Sequence, residues 1–239
     1  VASTTQNSTA QILNVYSDID ITTSKAGDAT NGGLVSRTST KATITNCIYN
    51  GKLVGTNGTT NCAGLVGWCT STAYLTNCAF TGEIVDITDN TYSIARNPVN
   101  LITDNVYYIN KYVPEGADIT NAIQKDASVV GSGELAFLLN GKRAGYEGGF
   151  YQTIGVDNAP YTVSLNHGKI YPQASSFNCD GTGNGTVTYA NTPSSNPVPP
   201  HTHKNGFCAV CGALQLDYIT PTEDGWYELK DGHALAWWS

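Results

Sequence analysis

The chain has 239 residues and a net charge of −7, and only 13% of its residues are charged, while Thr, Asn, Ser and 25 glycines are abundant. That balance argues against a helical bundle, and 40% hydrophobic residues exclude general disorder. Twelve Lys and Arg without a basic run interleaved with aromatics argue against a phosphate-tracking nucleic-acid surface, and no run of 18 or more apolar residues is available to span a membrane.

In chain order, the sequence opens at Val1 with neither Met nor a visible leader, and it stops at Trp237-Trp238-Ser239 within an apolar pattern. Both ends are expected to be cuts in a longer polypeptide, so a missing leader says nothing about export. Leu13-Asn14-Val15-Tyr16, with Ile19 and Ile21, reads as a half-repeat ahead of two full copies. The first, Ile44-Thr45-Asn46-Cys47-Ile48-Tyr49-Asn50-Gly51-Lys52-Leu53-Val54, aligns with Leu75-Thr76-Asn77-Cys78-Ala79-Phe80-Thr81-Gly82-Glu83-Ile84-Val85 at an offset of 31 residues. Gly33-Leu34-Val35-Ser36 and Gly64-Leu65-Val66-Gly67 match at the same offset. Two independent blocks sharing one period make a repeat. Ser93-Ile94-Ala95 and residues 102–108 read as a following copy with shortened spacing.

Each unit holds short runs of β-branched and aromatic residues bounded by turn formers. Asn31-Gly32, Asn50-Gly51 and Asn57-Gly58 are read as turns, because both residues tolerate positive φ. One unit cannot bury its apolar face alone. Copies stacked about 4.8 Å apart pair each strand with its equivalents and build a continuous core. Leu34 is then expected on Leu65, Val35 on Val66, Ile44 on Leu75 and Cys47 on Cys78. Each fully buried aliphatic side chain contributes roughly 1.5–3 kcal/mol. Asn46 and Asn77 occupy matching positions and are expected to form an amide ladder at a corner.

Gly-Gly-Leu-Val-Ser at 32–36 and Ala-Gly-Leu-Val-Gly at 63–67, each followed by a Thr-Asn-Cys strand, resemble GLUG-motif repeats. Such repeats occur in large surface and secreted proteins of bacteria, including adhesins and IgA-protease-type proteins. The resemblance covers roughly residues 10–110; Ser36 departs from the usual Gly, and the third copy lacks the glycine-rich start. It implies a surface location and a β-helical stack, and no reaction.

After Val113 the period is lost. Gly133–Gly141 reads as a short helix closed by Asn140-Gly141. Residues 150–155, 161–163 and 168–171 read as strands or strand fragments, and residues 114–174 together as a small cap covering the last repeat, where open strand edges would otherwise invite aggregation. The Pro-rich residues 190–200 read as a stiff linker. Residues 224–238 resemble the opening of another surface module.

Seven cysteines cannot all pair within the chain. Cys208-x-x-Cys211-Gly212 lies just after His201 and His203, and two thiolates with two imidazoles suit tetrahedral Zn²⁺. The segment also resembles the short Cys-x-His…Cys-x-x-Cys-Gly knuckles of bacterial surface proteins, with His201 where a Cys is commoner. A Cys208–Cys211 disulfide, a redox pair and an empty turn are the alternatives, and Cys179 could replace one histidine. Cys47 and Cys78 sit within disulfide range across two rungs, but packed thiols are the preferred reading. Cys62 and Cys69 bracket an extended run, Ala63–Trp68, too long for them to bond to each other. Asp18, Asp20, Glu83, Asp86 and Asp89 form no ladder of acids, so solvated charge explains them better than glycosidase chemistry. Trp68, Trp226, Trp237 and Trp238 are read as core in preference to sugar platforms.

The expected architecture is mainly all-β: a short parallel β-helix or solenoid over 1–113, an α+β cap over 114–174, a linker over 175–200, a His/Cys knuckle over 201–215 and the truncated start of a further module over 216–239. The expected role is a non-catalytic structural or adhesive module of a bacterial cell-surface or secreted protein. A carbohydrate-binding or carbohydrate-active β-helix domain and an accessory segment of a secreted protease are the alternatives. Expected partners are a surface glycan or protein and neighbouring modules of the same chain, with no nucleic acid, and structural Zn²⁺ as the one metal. The structural repeat positions are Gly33, Leu34, Val35, Asn46, Cys47, Gly64, Leu65, Val66, Asn77 and Cys78.

Overall fold

The computed structural model describes residues 2–3, 9–24, 27–56, 59–87, 90–114, 121–141, 149–162, 172–179, 185–191, 203–208, 215 and 218–238. They are mainly β. The first repeat supplies β1 (Ala2–Ser3), β2 (Ala10–Ser17), β3 (Ile21–Thr23) and β4 (Gly27–Gly32). The second supplies β5 (Val35–Thr38), β6 (Ala42–Tyr49), β7 (Lys52–Gly55) and β8 (Thr59–Ala63). The third supplies β9 (Val66–Cys69), β10 (Ala73–Phe80), β11 (Glu83–Val85) and β12 (Thr91–Tyr92), and a last long strand follows, β13 (Leu101–Tyr108).

Equivalent strands of successive repeats pair in parallel. The long strands line up as β2-β6-β10-β13, and three three-stranded sheets hold β3-β7-β11, β4-β8-β12 and β1-β5-β9. Ile12, Ile44, Leu75 and Thr103 share one register position, and Val15, Cys47, Cys78 and Val106 another. The period is therefore 32, 31 and then 28 residues. Val35 pairs with Val66, and the Leu34 amide donates to the Leu65 carbonyl at 3.1 Å. The columns predicted from the repeat are the columns of the core: Ile44, Cys47, Leu65, Leu75 and Cys78 have no exposed surface. Tyr49 and Phe80 lie one above the other, ring centroids 6.1 Å apart and planes 8° from parallel.

Glycines act here through close approach, which corrects the turn reading. A Cβ on Gly64 would sit 2.2 Å from the Ser93 carbonyl oxygen and 2.4 Å from the Phe80 ring; one on Gly33 would sit 2.1 Å from the Tyr49 ring. These glycines open the bends at Gly33-Leu34 and Gly64-Leu65, so residues 63–68 are two strands meeting at a corner and not one extended run. Gly51 and Gly82 likewise have a carbonyl of the preceding repeat where a Cβ would stand. Asn31-Gly32 is no positive-φ turn: it ends β4, and Thr30 carries the positive φ. Asn57-Gly58 lies outside the described residues.

Beyond the repeats, β14 (Ile123–Gln124) pairs with the end of β13. The predicted short helix is present as α2 (Glu134–Leu139), preceded by α1 (Ser128–Gly131). Its flanking glycines, Gly133 and Gly141, have φ of 89° and 79°. The segment does more than cover the last repeat. Leu135, Ala136, Leu138, Leu139 and Phe150 pack on Ile48, Ala79 and Tyr107, the outward apolar column of three successive long strands. A stripe that faces away from the core still has to leave water, and a lateral cover achieves that. Strands predicted at 150–155 and 161–163 reduce to one antiparallel bridge, Tyr151 with Tyr161; residues 163 and 168–171 lie outside the described residues.

The span 175–200, read as linker, contains most of an antiparallel hairpin of β15 (Gln173–Cys179) and β16 (Gly185–Ala190), and residues 192–200 lie outside the described set. A second hairpin joins β17 (His203–Lys204) to β18 (Phe207–Cys208), and α3 (Gly232–Trp238) closes the described chain.

Because β10 is paired on both sides and Leu75 is wholly buried, Leu75→Ala should lower the unfolding free energy by about 2–5 kcal/mol in urea titration. A loss well below 1 kcal/mol would mean that this column is not the core.

Candidate functional site: the asparagine ladder

Each long strand turns part-way along its length at an asparagine. Asn14, Asn46, Asn77 and Asn105 have φ of 56°, 54°, 51° and 56°, the left-handed region that asparagine enters more readily than other residues with a Cβ. The pairing registers step over all four: Leu13 faces Thr45 and Val15 faces Cys47, with the asparagine between. Their carboxamides then meet. Asn46 Nδ2 donates to Asn14 Oδ1 at 3.1 Å, Asn77 Nδ2 to Asn46 Oδ1 at 3.0 Å, and Asn105 Nδ2 to Asn77 Oδ1 at 2.8 Å. Sequence reading placed Asn46 and Asn77 in such a ladder and missed its two ends. The missed signal was local: Asn14-Val15 and Asn105-Val106 repeat the pattern of an asparagine followed by a core residue, at steps of 32 and 28.

The cysteines next to the ladder use the same bend. The Cys47 thiol donates to the Thr45 carbonyl at 3.2 Å and the Cys78 thiol to the Thr76 carbonyl at 3.3 Å. Cys47, Cys62, Cys69 and Cys78 are buried free thiols. Burial pushes Cys78 well above its ordinary range and Cys62 up to about 12, so neither presents a thiolate at neutral pH.

A second line of polar contacts runs beside the first. Thr81 donates to Asn50 Oδ1 at 2.7 Å, and Asn110 Nδ2 donates to the Gly82 carbonyl at 3.1 Å. Lys52 and Glu83, paired by register, form an ion pair at 3.1 Å with about half of each side chain exposed, worth at most about 1 kcal/mol.

The remaining predicted chemistry is dispersed. Asp20 Oδ1 accepts from the Lys52 backbone amide at 2.8 Å, a contact between successive repeats; Asp18 and Asp86 are exposed, and Asp89 lies outside the described residues. Trp68 is half-buried with Arg96 at 4.2 Å and Arg37 at 5.8 Å from its ring centroid. Trp226 and Trp238 are not core in the described residues, being 76% and 51% exposed. His203 pairs with Cys208 across the β17–β18 hairpin, while His201 and Cys211 lie outside the described residues. Among the described residues no three His, Cys, Asp and Glu gather as a metal site would require.

Protein-family models, curated proteins and solved structures were compared with the chain, and none matches. No family is assigned. The ladder's role is therefore argued from its own chemistry: it ties neighbouring repeats where each long strand turns away from regular pairing.

Asn77→Gly keeps the left-handed backbone accessible and deletes two carboxamide bonds, so it should cost about 1–3 kcal/mol in thermal or urea unfolding. Asn77→Ala should cost about 1–2 kcal/mol more, because its Cβ is disfavoured at that φ. Asn14→Gly, at the exposed end with one ladder bond, should cost less than either. Equal losses at Asn14 and Asn77 would contradict the ladder.

Proposed function

We propose that residues 1–113 form a short parallel β-solenoid and serve as a non-catalytic structural or adhesive module of a large bacterial cell-surface or secreted protein. The observation that carries this reading is the four-membered asparagine ladder. A column of identical side chains in one backbone conformation, bonded at every step, is what a chain wound in successive turns produces, and it ties those turns along the stack axis. The parallel registers of four separate sheets, all advancing by about one repeat, support the same winding. Tight turns, buried columns and a lateral apolar cover suit a spacer that holds its shape and displays its surface. The resemblance of residues 32–36 and 63–67 to GLUG-motif repeats supports the surface location.

The described carboxylates support the non-catalytic reading, since glycoside chemistry needs two of them converging across a bond, and Asp18, Asp20, Glu83 and Asp86 are each engaged locally or exposed singly. Partners on this reading are a surface glycan or protein and neighbouring modules of the same chain. For the tail, structural Zn²⁺ held by His201, His203, Cys208 and Cys211 is part of the proposal; the β17–β18 hairpin, which sets His203 opposite Cys208, supports it. Bound there, zinc would supply folding energy to a segment with little core of its own.

Two measurements on one purified preparation test this. A glycan array together with polysaccharide hydrolase and lyase assays should give at most binding and no turnover; turnover that Asp86→Asn abolishes would overturn the module reading. Elemental analysis after metal-replete expression should find zinc that Cys208→Ser removes, and its absence from the unsubstituted chain would remove the metal from the proposal.

A further inference from the structure

The two ends of the stack differ. At the far end the inward residues are sealed: Val106 is wholly buried, and Ile84, Ile94, Leu101 and Tyr108 are at most 8% exposed. Part of β13 is paired by β14 there, and the Tyr112 ring lies 6.3 Å from Phe80 while its hydroxyl accepts from the Ile84 amide. The ladder is also finished at this end. Asn105 Oδ1 accepts the Tyr107 hydroxyl at 2.7 Å, and Asn105 Nδ2 is shared with the Leu138 carbonyl at 3.0 Å. At the near end β2, β3 and β4 are edge strands. Ala10, Ile12, Val15 and Ile21 occupy the register positions of Ala42, Ile44, Cys47 and Leu53, yet they are only partly buried where those partners are at most 1% exposed. Asn14 accepts a ladder bond through Oδ1, and among the described residues its Nδ2 has no partner.

Resting on the stacked-coil reading above, we infer that the β2-β3-β4 end is a docking surface for one further coil of the same repeat type, running parallel to β2 and offering a carboxamide oxygen at the ladder position. Three features specify that occupant. The half-covered apolar column needs inward aliphatic residues at the spacing of the repeat. The open backbone edge accepts strands, and the lone ladder donor needs an acceptor directly beneath it.

Polarity excludes a second copy of this chain. A two-fold pair would set Asn14 donor against Asn14 donor and turn the two β2 edges antiparallel, so the amide column could not continue. A head-to-tail copy would meet the far end, where the inward residues are already buried and the Asn105 oxygen already has the Tyr107 hydroxyl.

The test is hydrogen exchange on the 239-residue chain and on the same chain with a duplicate of residues 35–65 joined ahead of Val1, a length that places its strands one repeat below β2, β3 and β4. In the extended chain the β2 amides should slow by about tenfold or more, and Asn46→Leu within the duplicate should give back part of that protection. In the unextended chain β2 should exchange faster than β13, and equal protection there would overturn the inference whether or not the extended chain folds. Unchanged β2 exchange on extension, with β6 and β10 still protected, would overturn it and leave the solenoid reading standing. Unprotected β6 and β10 in the unextended chain would sink both. A dimer of the unextended chain in sedimentation, with β2 protected, would assign this end to a second copy instead.

Discussion

The turn that each long strand makes at its asparagine is the constraint on which the rest of the structure depends. At that point the backbone leaves the β region, and residues that flank it pair across the repeats while the asparagine itself does not. The pairing interrupted there leaves room for a side-chain link between repeats. Three carboxamide bonds in series supply that link, each spanning one repeat. Such a column works only if every repeat turns at the same height, so it couples the φ of each asparagine to the register of the whole sheet. A slip of one residue would break the ladder and also turn the core columns toward water. The two penalties fall on the same error, and this is how a polar, turn-rich sequence specifies one arrangement.

The glycine corners impose the complementary constraint. With rings as large as Tyr49 and Phe80 inside, the backbone that passes over them cannot carry side chains of its own. Gly33 runs against Tyr49, and Gly64 against Phe80 and the Ser93 carbonyl. Large ring and absent side chain therefore occur as a pair in the second and third repeats. In the next layer the ring position is held by Tyr108 and the corner by Ser93, whose hydroxyl bonds the Asn110 and Tyr112 carbonyls instead of lying beneath a further layer. Among the described residues, loss of the corner glycine thus coincides with the last of the long strands, β13.

Much of this was legible in the residues themselves. The offset of 31 between two separate blocks sufficed to place Leu34, Val35, Ile44 and Cys47 against their partners and to put Asn46 beside Asn77. What escaped was carried by signals that periodicity does not contain. Asn14 and Asn105 lie in copies whose flanking residues have diverged, so their shared feature is one asparagine before one apolar residue. The reason for the corner glycines is steric and needs the ring of another layer to be seen, whereas composition suggested positive φ. In the hairpin of β15 and β16 only the short Thr186-Val187-Thr188-Tyr189 run alternates, and its partner Gln173–Cys179, rich in Ser and Asn, reads as loop. The lateral position of α1 and α2 did leave a signal, since Cys47-Ile48-Tyr49 and Cys78-Ala79-Phe80 are unbroken apolar runs with both faces buried, but such a run does not say which segment covers its outer face.

That double burial bears on how the molecule can act. A sheet covered on its core face by the stack and on its outer face by helices has little free surface for a ligand along the column of Ile48, Ala79 and Tyr107. Asn105 connects the two coverings, bonding Asn77 along the ladder and the Leu138 carbonyl of the cover. At the other end of the same sheet, the Thr162 hydroxyl reaches the Asn14 carbonyl and Tyr161 packs on Tyr16 at 4.5 Å. The lateral segment is thus fastened to both ends of the ladder, so the ladder sets the cover's length as well as the register of the strands. A stack tied along its axis by carboxamides and bound along its side by a continuous segment resists both sliding and separation of its layers. Both deformations are thereby opposed by bonds that start from the same four asparagines.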